Sequence, residues 1–249
     1  MHPFAALLGS FFLGTCAGSF VTLASHRLPQ GKEIVFEPSH CPHCRTPLQA
    51  KNLVPLFSWI FQKGRCSHCH ARISARYPLI ELLLGLTFAA VVALYGVGAG
   101  ALFFCLLATE LMILIVTDLE HFIIPDSVQI AVLATGLAYQ FYAKADVQDV
   151  AASMAFGLAL GLVLHYGYRY VRKKDGLGFG DVKLLCIAGA WLTLTDFVPF
   201  LFFAGLMGTL TGIVWRLRER GAVFPFGPAL AVSLFINILF PHLLQRTLL

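Results

Sequence analysis

Two aspartates border apolar stretches of this sequence, and their surroundings suit acid–base chemistry. Asp118 follows a stretch that ends at Thr117, and Asp181 precedes another one in the segment Gly-Phe-Gly-Asp-Val-Lys. Gly178 and Gly180 of that segment allow the close backbone approach that a peptide-binding cleft beside a carboxylate requires. Two carboxylates that face each other share a proton, so one activates water while the other protonates a carbonyl oxygen. That is the chemistry of an aspartic protease.

The same two positions allow other interpretations. Asp118 could cap a loop and Asp181 a helix N-terminus, where a negative charge is stabilised. Together with Glu110, they could instead line a proton or ion pathway, because ionisable groups at membrane depth are costly and usually functional. The spacing of the residues leaves these interpretations open.

Four cysteines predict a metal site in the longest polar segment. They form two pairs, Cys41-Pro-His-Cys44 and Cys66-Ser-His-Cys69, separated by 21 residues. This spacing is typical of a structural zinc ribbon, in which four thiolates surround the ion as a tetrahedron. The metal supplies folding free energy that a short segment with a poor apolar core lacks. Two disulfides or free thiols are the alternatives, and a reducing cytoplasm disfavours the disulfides. We therefore predict Zn²⁺ bound by the four cysteines.

Membrane helices must position these groups. Of the 249 residues, 58% are hydrophobic and 12% are charged, whereas soluble domains carry about 25% charged residues. This composition excludes a cytosolic enzyme, a secreted disulfide scaffold, a disordered chain and a nucleic-acid-binding domain. Stretches long or apolar enough for transmembrane helices predict eight spans, at about 3–25, 79–95, 101–117, 127–143, 151–168, 182–195, 199–215 and 226–244.

The distribution of Lys and Arg predicts the orientation, because basic residues collect on the cytoplasmic side. With an external N-terminus, 16 of the 18 basic residues fall in segments inside the cell, at 26–78, 118–126, 169–183 and 216–225. The net charge of +5 therefore reflects the orientation of the chain in the membrane, and we expect no nucleic-acid partner. Both termini are predicted to lie outside.

The sequence thus predicts an all-α polytopic membrane protein with about eight transmembrane helices and a small cytoplasmic zinc-ribbon-like domain. Residues 1–25 form the first transmembrane helix in this prediction. Residues 26–78 form the cytoplasmic zinc-binding domain, and residues 79–249 form a seven-helix membrane core that contains both aspartates.

Motifs along nearly the whole chain resemble those of the type IV prepilin peptidases, and they occur in the family's order. The polar segment and its continuation resemble the family's cytoplasmic domain, and three further stretches resemble its membrane core. These motifs are the two CxxC pairs, Asn52-Leu-Val-Pro55, Tyr77-Pro-Leu-Ile-Glu81, Ile124-Pro-Asp126, Gly178-Phe-Gly-Asp-Val-Lys183 and Pro225-Phe-Gly-Pro228.

The resemblance implies a GxGD-type aspartic protease of the bacterial inner membrane, with Asp118 and Asp181 as the catalytic pair. Such enzymes remove the short basic leader of type IV prepilins and pseudopilins at the cytoplasmic face. Gly178 and Gly180 would support the active site. Pro228 would do so as well, since Pro228-Ala-Leu resembles the PAL element of related intramembrane proteases.

Family members that carry the cysteine domain usually also methylate the new N-terminal amine with S-adenosylmethionine. Glu81 is the candidate for orienting that amine or the methyl donor, although its alternative role is a helix N-terminal charge that favours the macrodipole. Two other functions compete with the enzyme: a zinc-ribbon-bearing transporter that uses Asp118, Glu110 and Asp181 as an ion path, and a pilus-assembly scaffold without proteolysis. No internal repeat of the kind common in transporters is visible.

Overall fold

The computed structural model describes residues 3–34, 37–173, 176–218 and 224–240. In these ranges the chain is helical and forms no strand, apart from two isolated β-bridges. Three short 3₁₀ turns accompany the α-helices, at Leu28–Gln30, Ala50–Asn52 and Leu194–Asp196. The α-helices are α1 (Pro3–Arg27), α2 (Phe57–Phe61), α3 (Arg76–Tyr95), α4 (Ala99–His121), α5 (Asp126–Ala143), α6 (Val147–Arg172), α7 (Phe179–Ala188), α8 (Phe197–Leu217) and α9 (Gly227–Leu239).

The chain divides into two compact units, Met1–Thr109 and Glu110–Leu249. In the first unit, α1 packs closely along α3. A methyl group added at Gly18 of α1 would lie 2.5 Å from the Cα atom of Glu81, so the backbones meet where a side chain is absent. Small residues let membrane helices approach in this way when lipid provides no hydrophobic driving force.

In the second unit, α6 packs on α7 and α8 packs on α9. The Oγ atom of Ser233 in α9 donates a hydrogen bond of 2.6 Å to the carbonyl oxygen of Phe200 in α8. The indole nitrogen of Trp191 donates to the carbonyl oxygen of Val132 in α5 at 3.0 Å. These bonds give polar groups inside the unit a hydrogen-bond partner. Such internal partners are needed because the bilayer core holds no water to replace them.

The predicted all-α polytopic membrane architecture is confirmed. Among the described residues, five helices are long and apolar enough to cross a membrane: α1 (with the turn after it), α3, α4, α6 and α8 with its preceding turn. Large apolar side chains such as Phe141, Val163 and Val198 are more than two-thirds exposed, as expected where lipid is the solvent. Residues 241–244 of the last predicted span lie outside the described part of the chain.

The sixth predicted span is shorter than expected, because α7 ends at Ala188 instead of continuing to residue 195. Its ten residues span about 15 Å, half the thickness of the hydrocarbon layer. The helix ends where Gly189 is pressed against Ser153 of α6, with no room for a side chain. The following residues turn, and Thr193 and Asp196 then cap the short turn before α8.

Candidate active site and four-cysteine cluster

Asp118 lies in the last turn of α4 and is 6% exposed. Its Oδ2 atom accepts a hydrogen bond of 2.9 Å from the backbone amide of Gly227, the first residue of α9. A Cβ atom at Gly227 would lie 2.7 Å from that same oxygen, so only glycine leaves room for this contact. Pro228, the predicted support residue, occupies the first turn of α9 beside Gly227.

Asp181 lies in the first turn of α7 and is 8% exposed. Its Oδ2 atom accepts a hydrogen bond of 3.2 Å from the backbone amide of Gly178, the residue that caps the helix. Asp181 therefore caps the N-terminus of α7, as the alternative interpretation of this residue predicts. Its Oδ1 atom, however, is buried and has no hydrogen-bond partner among the described residues. Such an unsatisfied buried atom calls for an explanation beyond capping.

The structure brings the two aspartates together. Their carboxylates are close enough to interact electrostatically. The side chain of Ile124 lies next to both glycine backbones, 3.2 Å from a Cβ atom built on Gly180 and 3.1 Å from one built on Gly227. The backbone before Asp181 and the backbone that binds Asp118 therefore pack against the same apolar side chain. We call Asp118 and Asp181 the aspartate pair.

Gln129 of α5 is a further polar residue at this site, which the sequence analysis did not identify. It is 2% exposed, and its side-chain amide donates long hydrogen bonds to the carbonyl oxygens of Ile124, at 3.5 Å, and Gly180, at 3.4 Å. Its Oε1 atom is buried without a partner in the described structure. A lone glutamine in the apolar run from Val128 to Val132 was the available signal.

Three other charged residues of the second unit have polar partners, although Oε2 of Glu110 is buried without one among the described residues. Nζ of Lys183 forms a salt bridge of 2.7 Å with Asp126, and both side chains are substantially exposed. Glu110 accepts a hydrogen bond of 2.7 Å from the hydroxyl of Thr135.

The four-cysteine cluster, Cys41, Cys44, Cys66 and Cys69, consists of two loops with the same backbone pattern. In each loop, the amide of the residue four positions after the first cysteine donates to that cysteine's carbonyl oxygen: Arg45 to Cys41 at 2.8 Å and His70 to Cys66 at 3.0 Å. Both donors have positive φ angles, 55° and 56°. Isolated bridges, His40 with Pro47 and Arg65 with Arg72, close the two loops.

The cluster has the dimensions of a tetrahedral metal site. All four Sγ atoms lie within 4.8 Å of one another, and those of Cys41 and Cys69 are 3.9 Å apart. Zinc–sulfur bonds of about 2.3 Å in a tetrahedron place the sulfur atoms about 3.8 Å apart. Hydrogen bonds from the hydroxyl and backbone amide of Thr46 lower the pKa of the Cys44 thiol to about 6. Although its bond to the Ala71 backbone opposes the shift, desolvation and the three other thiols raise the pKa of the Cys69 thiol to about 11.

Glu81 lies in the second turn of α3 and is 7% exposed. Its Oε2 atom accepts a hydrogen bond of 2.7 Å from the backbone amide of Leu56, and Ser19 of α1 is a second partner. Leu56 has a φ of 62° and a ψ of −54°, a conformation that non-glycine residues rarely adopt. Such strain persists where surrounding contacts enforce it, and the Glu81 carboxylate is one of them.

Comparisons with known proteins place this chain among membrane proteases. A model of the bacterial peptidase A24 N-terminal domain matches residues 12–95, and a model of the type IV leader peptidase family matches residues 105–213. No solved structure matches the chain.

Relatives of known name cover nearly the full length. The prepilin leader peptidase/N-methyltransferase of Aeromonas hydrophila is 32% identical over 95% of this chain and 91% of its own length. The protein of the same name in Pectobacterium carotovorum subsp. carotovorum is 32% identical over 89% of this chain and 88% of its own. The protein of that name in Pseudomonas aeruginosa is 31% identical over 99% of this chain and 94% of its own length. The resemblance recognised in the motifs is confirmed, and the chain belongs to the type IV leader peptidase family, a family of proteases.

Proposed function

We propose that this protein is an aspartic endopeptidase that removes the basic leader of type IV prepilins and pseudopilins and then methylates the new N-terminal amine. The observation that carries the peptidase assignment is the aspartate pair itself. Two buried carboxylates interact, and a backbone amide holds one oxygen of each, from Gly227 to Asp118 and from Gly178 to Asp181. The second oxygens are left for water and the scissile peptide.

Peptide hydrolysis follows from a pair that shares one proton. The ionised carboxylate accepts a proton from water as the water oxygen bonds to the carbonyl carbon, while the protonated carboxylic acid donates its proton to the carbonyl oxygen. When the tetrahedral intermediate collapses, the carbon–nitrogen bond breaks and the amine leaves with a proton from the pair. The proton shared at the start belongs to the pair rather than to either residue.

Gly178 and Gly227 keep the backbone close to the carboxylates, and Gly180 packs against Ile124. Pro228 starts the helix whose first amide binds Asp118. We propose that these residues support the site by fixing the two carboxylates relative to each other. The N-termini of α7 and α9 also supply positive electrostatic potential to the negative charge that the pair keeps.

Methylation needs a donor, and we propose S-adenosylmethionine. When bound, this donor would supply an electrophilic methyl group to the uncharged amine, its carbon–sulfur electron pair would stay on sulfur, and the extra proton on nitrogen would pass to water. Among the residues of this chain, Glu81 is the candidate for orienting the amine or the donor. A buried carboxylate that accepts hydrogen bonds only from neutral groups is suited to a cationic ligand.

We also propose that the four-cysteine cluster binds a structural Zn²⁺ ion. Four cysteines complete a tetrahedral coordination shell and leave no open position, as in structural rather than catalytic zinc sites. The ion would stabilise the segment 26–78, whose described residues between α1 and α3 form only short helices and isolated bridges.

We propose that the chain lies in the bacterial inner membrane with both termini outside and the aspartate pair facing the cytoplasm. The support is the concentration of Lys and Arg in the predicted internal segments. Alkaline phosphatase, which is active only outside the cytoplasm, tests this orientation. A fusion after Lys144 is expected to be active and one after Lys63 inactive, and the reverse pattern would contradict the orientation.

Cleavage of a synthetic prepilin by the full chain in detergent tests the peptidase. We expect Asp118→Asn and Asp181→Asn to lose about 10³-fold or more in rate, since acid–base groups contribute roughly 10²–10⁴-fold each. Glu110→Gln is the matched control, because Glu110 lies on the same helix as Asp118 but bonds to Thr135. Cleavage by both asparagine variants at the normal rate would refute the assignment. Mass spectrometry with and without S-adenosylmethionine detects methylation.

A further inference from the structure

A cavity of about 430 Å³ lies within the first unit, Met1–Thr109. Its walls come from three parts of that unit: the second half of α1, the polar segment that contains the four-cysteine cluster, and the start of α3. The volume falls within the range of about 300–1,000 Å³ typical of small-molecule sites. We call this space the α1–α3 cavity.

Two buried charged side chains line the cavity. Among the described residues, four charged side chains are buried: Arg27, Glu81, Asp118 and Asp181. The two aspartates form the proposed peptidase pair, whereas Arg27 and Glu81, which are 5% and 7% exposed, both line the α1–α3 cavity. Burying a charge is costly unless the site uses it or compensates it.

Uncharged backbone groups hold both charged side chains in place. The guanidinium of Arg27 donates to the backbone carbonyl oxygens of Glu33, Glu37 and Pro38, at 3.0, 2.9 and 3.3 Å. Glu81 accepts from the Leu56 amide at 2.7 Å. These contacts orient the two side chains without neutralising their charges. A ligand that fits this cavity should therefore carry both a cationic and an anionic group.

Flat ring systems complete the wall. Trp59 and Tyr77 line the cavity, as do His40 and His43. The indole of Trp59 is fixed, because its nitrogen donates to the carbonyl oxygen of Ile73 at 3.2 Å and its ring packs against Gly64. Aromatic faces of this kind accept a planar heterocycle by stacking.

We propose that the α1–α3 cavity is the binding site for S-adenosylmethionine, with Glu81 toward its cationic sulfonium and amino groups and Arg27 toward its carboxylate. The inference rests on the proposed methylation. It combines the cavity's size, its two buried opposite charges and its rings, which match a molecule with an adenine, a carboxylate and two positive centres. A basic leader peptide suits the cavity less well, since three basic side chains line it, Arg27, Lys32 and Arg72, against the two acidic ones of Glu37 and Glu81.

The placement also gives the four-cysteine cluster a role in methylation. Cys41 and Cys66 are buried and form part of the cavity wall. A metal ion that folds the two cysteine loops therefore also builds one side of the donor site. Donor affinity and metal content should fall together, as linked equilibria require.

Equilibrium dialysis of radiolabelled S-adenosylmethionine against the zinc-loaded full chain in detergent tests the placement. Glu81→Gln keeps an oxygen for the Leu56 amide but removes the charge, and we expect it to weaken binding at least about tenfold, the effect of losing one charge-assisted contact. The uncharged sulfur of S-adenosylhomocysteine should make that ligand less sensitive to the same change. Ser58→Trp, at a residue that lines the cavity, should abolish binding of both.

Asp149→Asn is the matched control, since this exposed acidic side chain lies in the first turn of α6 and does not line the cavity. Zinc content and size-exclusion profile report whether each variant is folded. Folded Glu81→Gln and Ser58→Trp proteins that bind the donor normally would overturn the placement, even if the wild type methylates prepilin. Normal donor binding with a raised KM for prepilin would also overturn it and assign the cavity to the peptide. A wild type that neither binds the donor nor methylates would refute the proposed methylation itself.

Discussion

The backbone amide of Gly227 binds Oδ2 of Asp118 at 2.9 Å, although the two residues are 109 positions apart in the chain. Gly227 is the first residue of α9, so this carboxylate lies against the N-terminus of a helix to which it does not belong. Asp181 lies at the N-terminus of its own helix, α7. Each member of the aspartate pair is thus held by the first backbone amides of a short helix, where a negative charge is stabilised.

The contact predicts that Gly227 cannot be replaced. In Gly227→Ala the new methyl group would lie 2.7 Å from Oδ2 of Asp118, so the carboxylate must move. We expect kcat/KM for prepilin cleavage to fall about 10²-fold, the size of effect that a displacement of about 1 Å produces in an active site. Gly205→Ala in α8 is the control, because nothing lies within 4 Å of a Cβ atom there. Equal rates for both variants would contradict this.

The sequence was sufficient to identify the residues whose chemistry is unusual for their surroundings. Asp118 and Asp181 stood out because carboxylates are rare beside apolar stretches, and the structure brings them together. The four cysteines stood out by their spacing, and their sulfur atoms converge. Both signals are visible in the sequence alone, the aspartates by their residue type beside apolar stretches and the cysteines by the spacing of two CxxC pairs.

Contacts between distant segments could not be predicted in this way. Gly227 acquires its role when the start of α9 meets the end of α4, and Gln129 acquires its role when α5 packs on α7. No local pattern specifies that packing. The end of α7 is another example. Its residues remain apolar beyond Ala188, yet the helix ends there, beside the close contact of Gly189 with Ser153 of α6.

Gln129 should influence catalysis as well as stability. Its amide joins the carbonyl oxygens of Ile124 and Gly180, and Gly180 directly precedes Asp181. In Gln129→Leu both carbonyl groups lose a donor, and we expect kcat for cleavage to fall roughly fivefold, because a hydrogen bond contributes about 1 kcal/mol. The measurements are steady-state cleavage and thermal unfolding.

Gln140→Leu separates the two effects. Gln140 lies on the same helix, and its amide donates to the carbonyl oxygen of Ala190 at 3.1 Å. It should lower the stability of the unit about as much as Gln129→Leu while leaving kcat near the wild-type value. A loss of activity that follows stability equally in both variants would show that Gln129 has no positioning role.

The salt bridge between Lys183 and Asp126 should contribute little, although it links the starts of α5 and α7 beside the aspartate pair. The side chains are 43% and 68% exposed, so water screens the 2.7 Å contact. A double-mutant cycle with Lys183→Met and Asp126→Asn should give a coupling free energy below about 1 kcal/mol. It should shrink further in high salt. A larger, salt-independent coupling free energy would indicate that Lys183 and Asp126 are desolvated in the membrane.

Loss of the metal should affect the two activities differently. In Cys66→Ser one of the four thiolates is missing, and we expect the zinc content measured by mass spectrometry to fall from one ion per chain to nearly none. Because the cluster belongs to the unit Met1–Thr109 and the aspartate pair to the other unit, methylation should decrease much more than leader cleavage. Cys16→Ser is the control, since Cys16 lies in α1 outside the cluster. Equal loss of both activities in Cys66→Ser would mean that the metal stabilises the whole chain, because a methyl-donor site alone cannot account for lost cleavage.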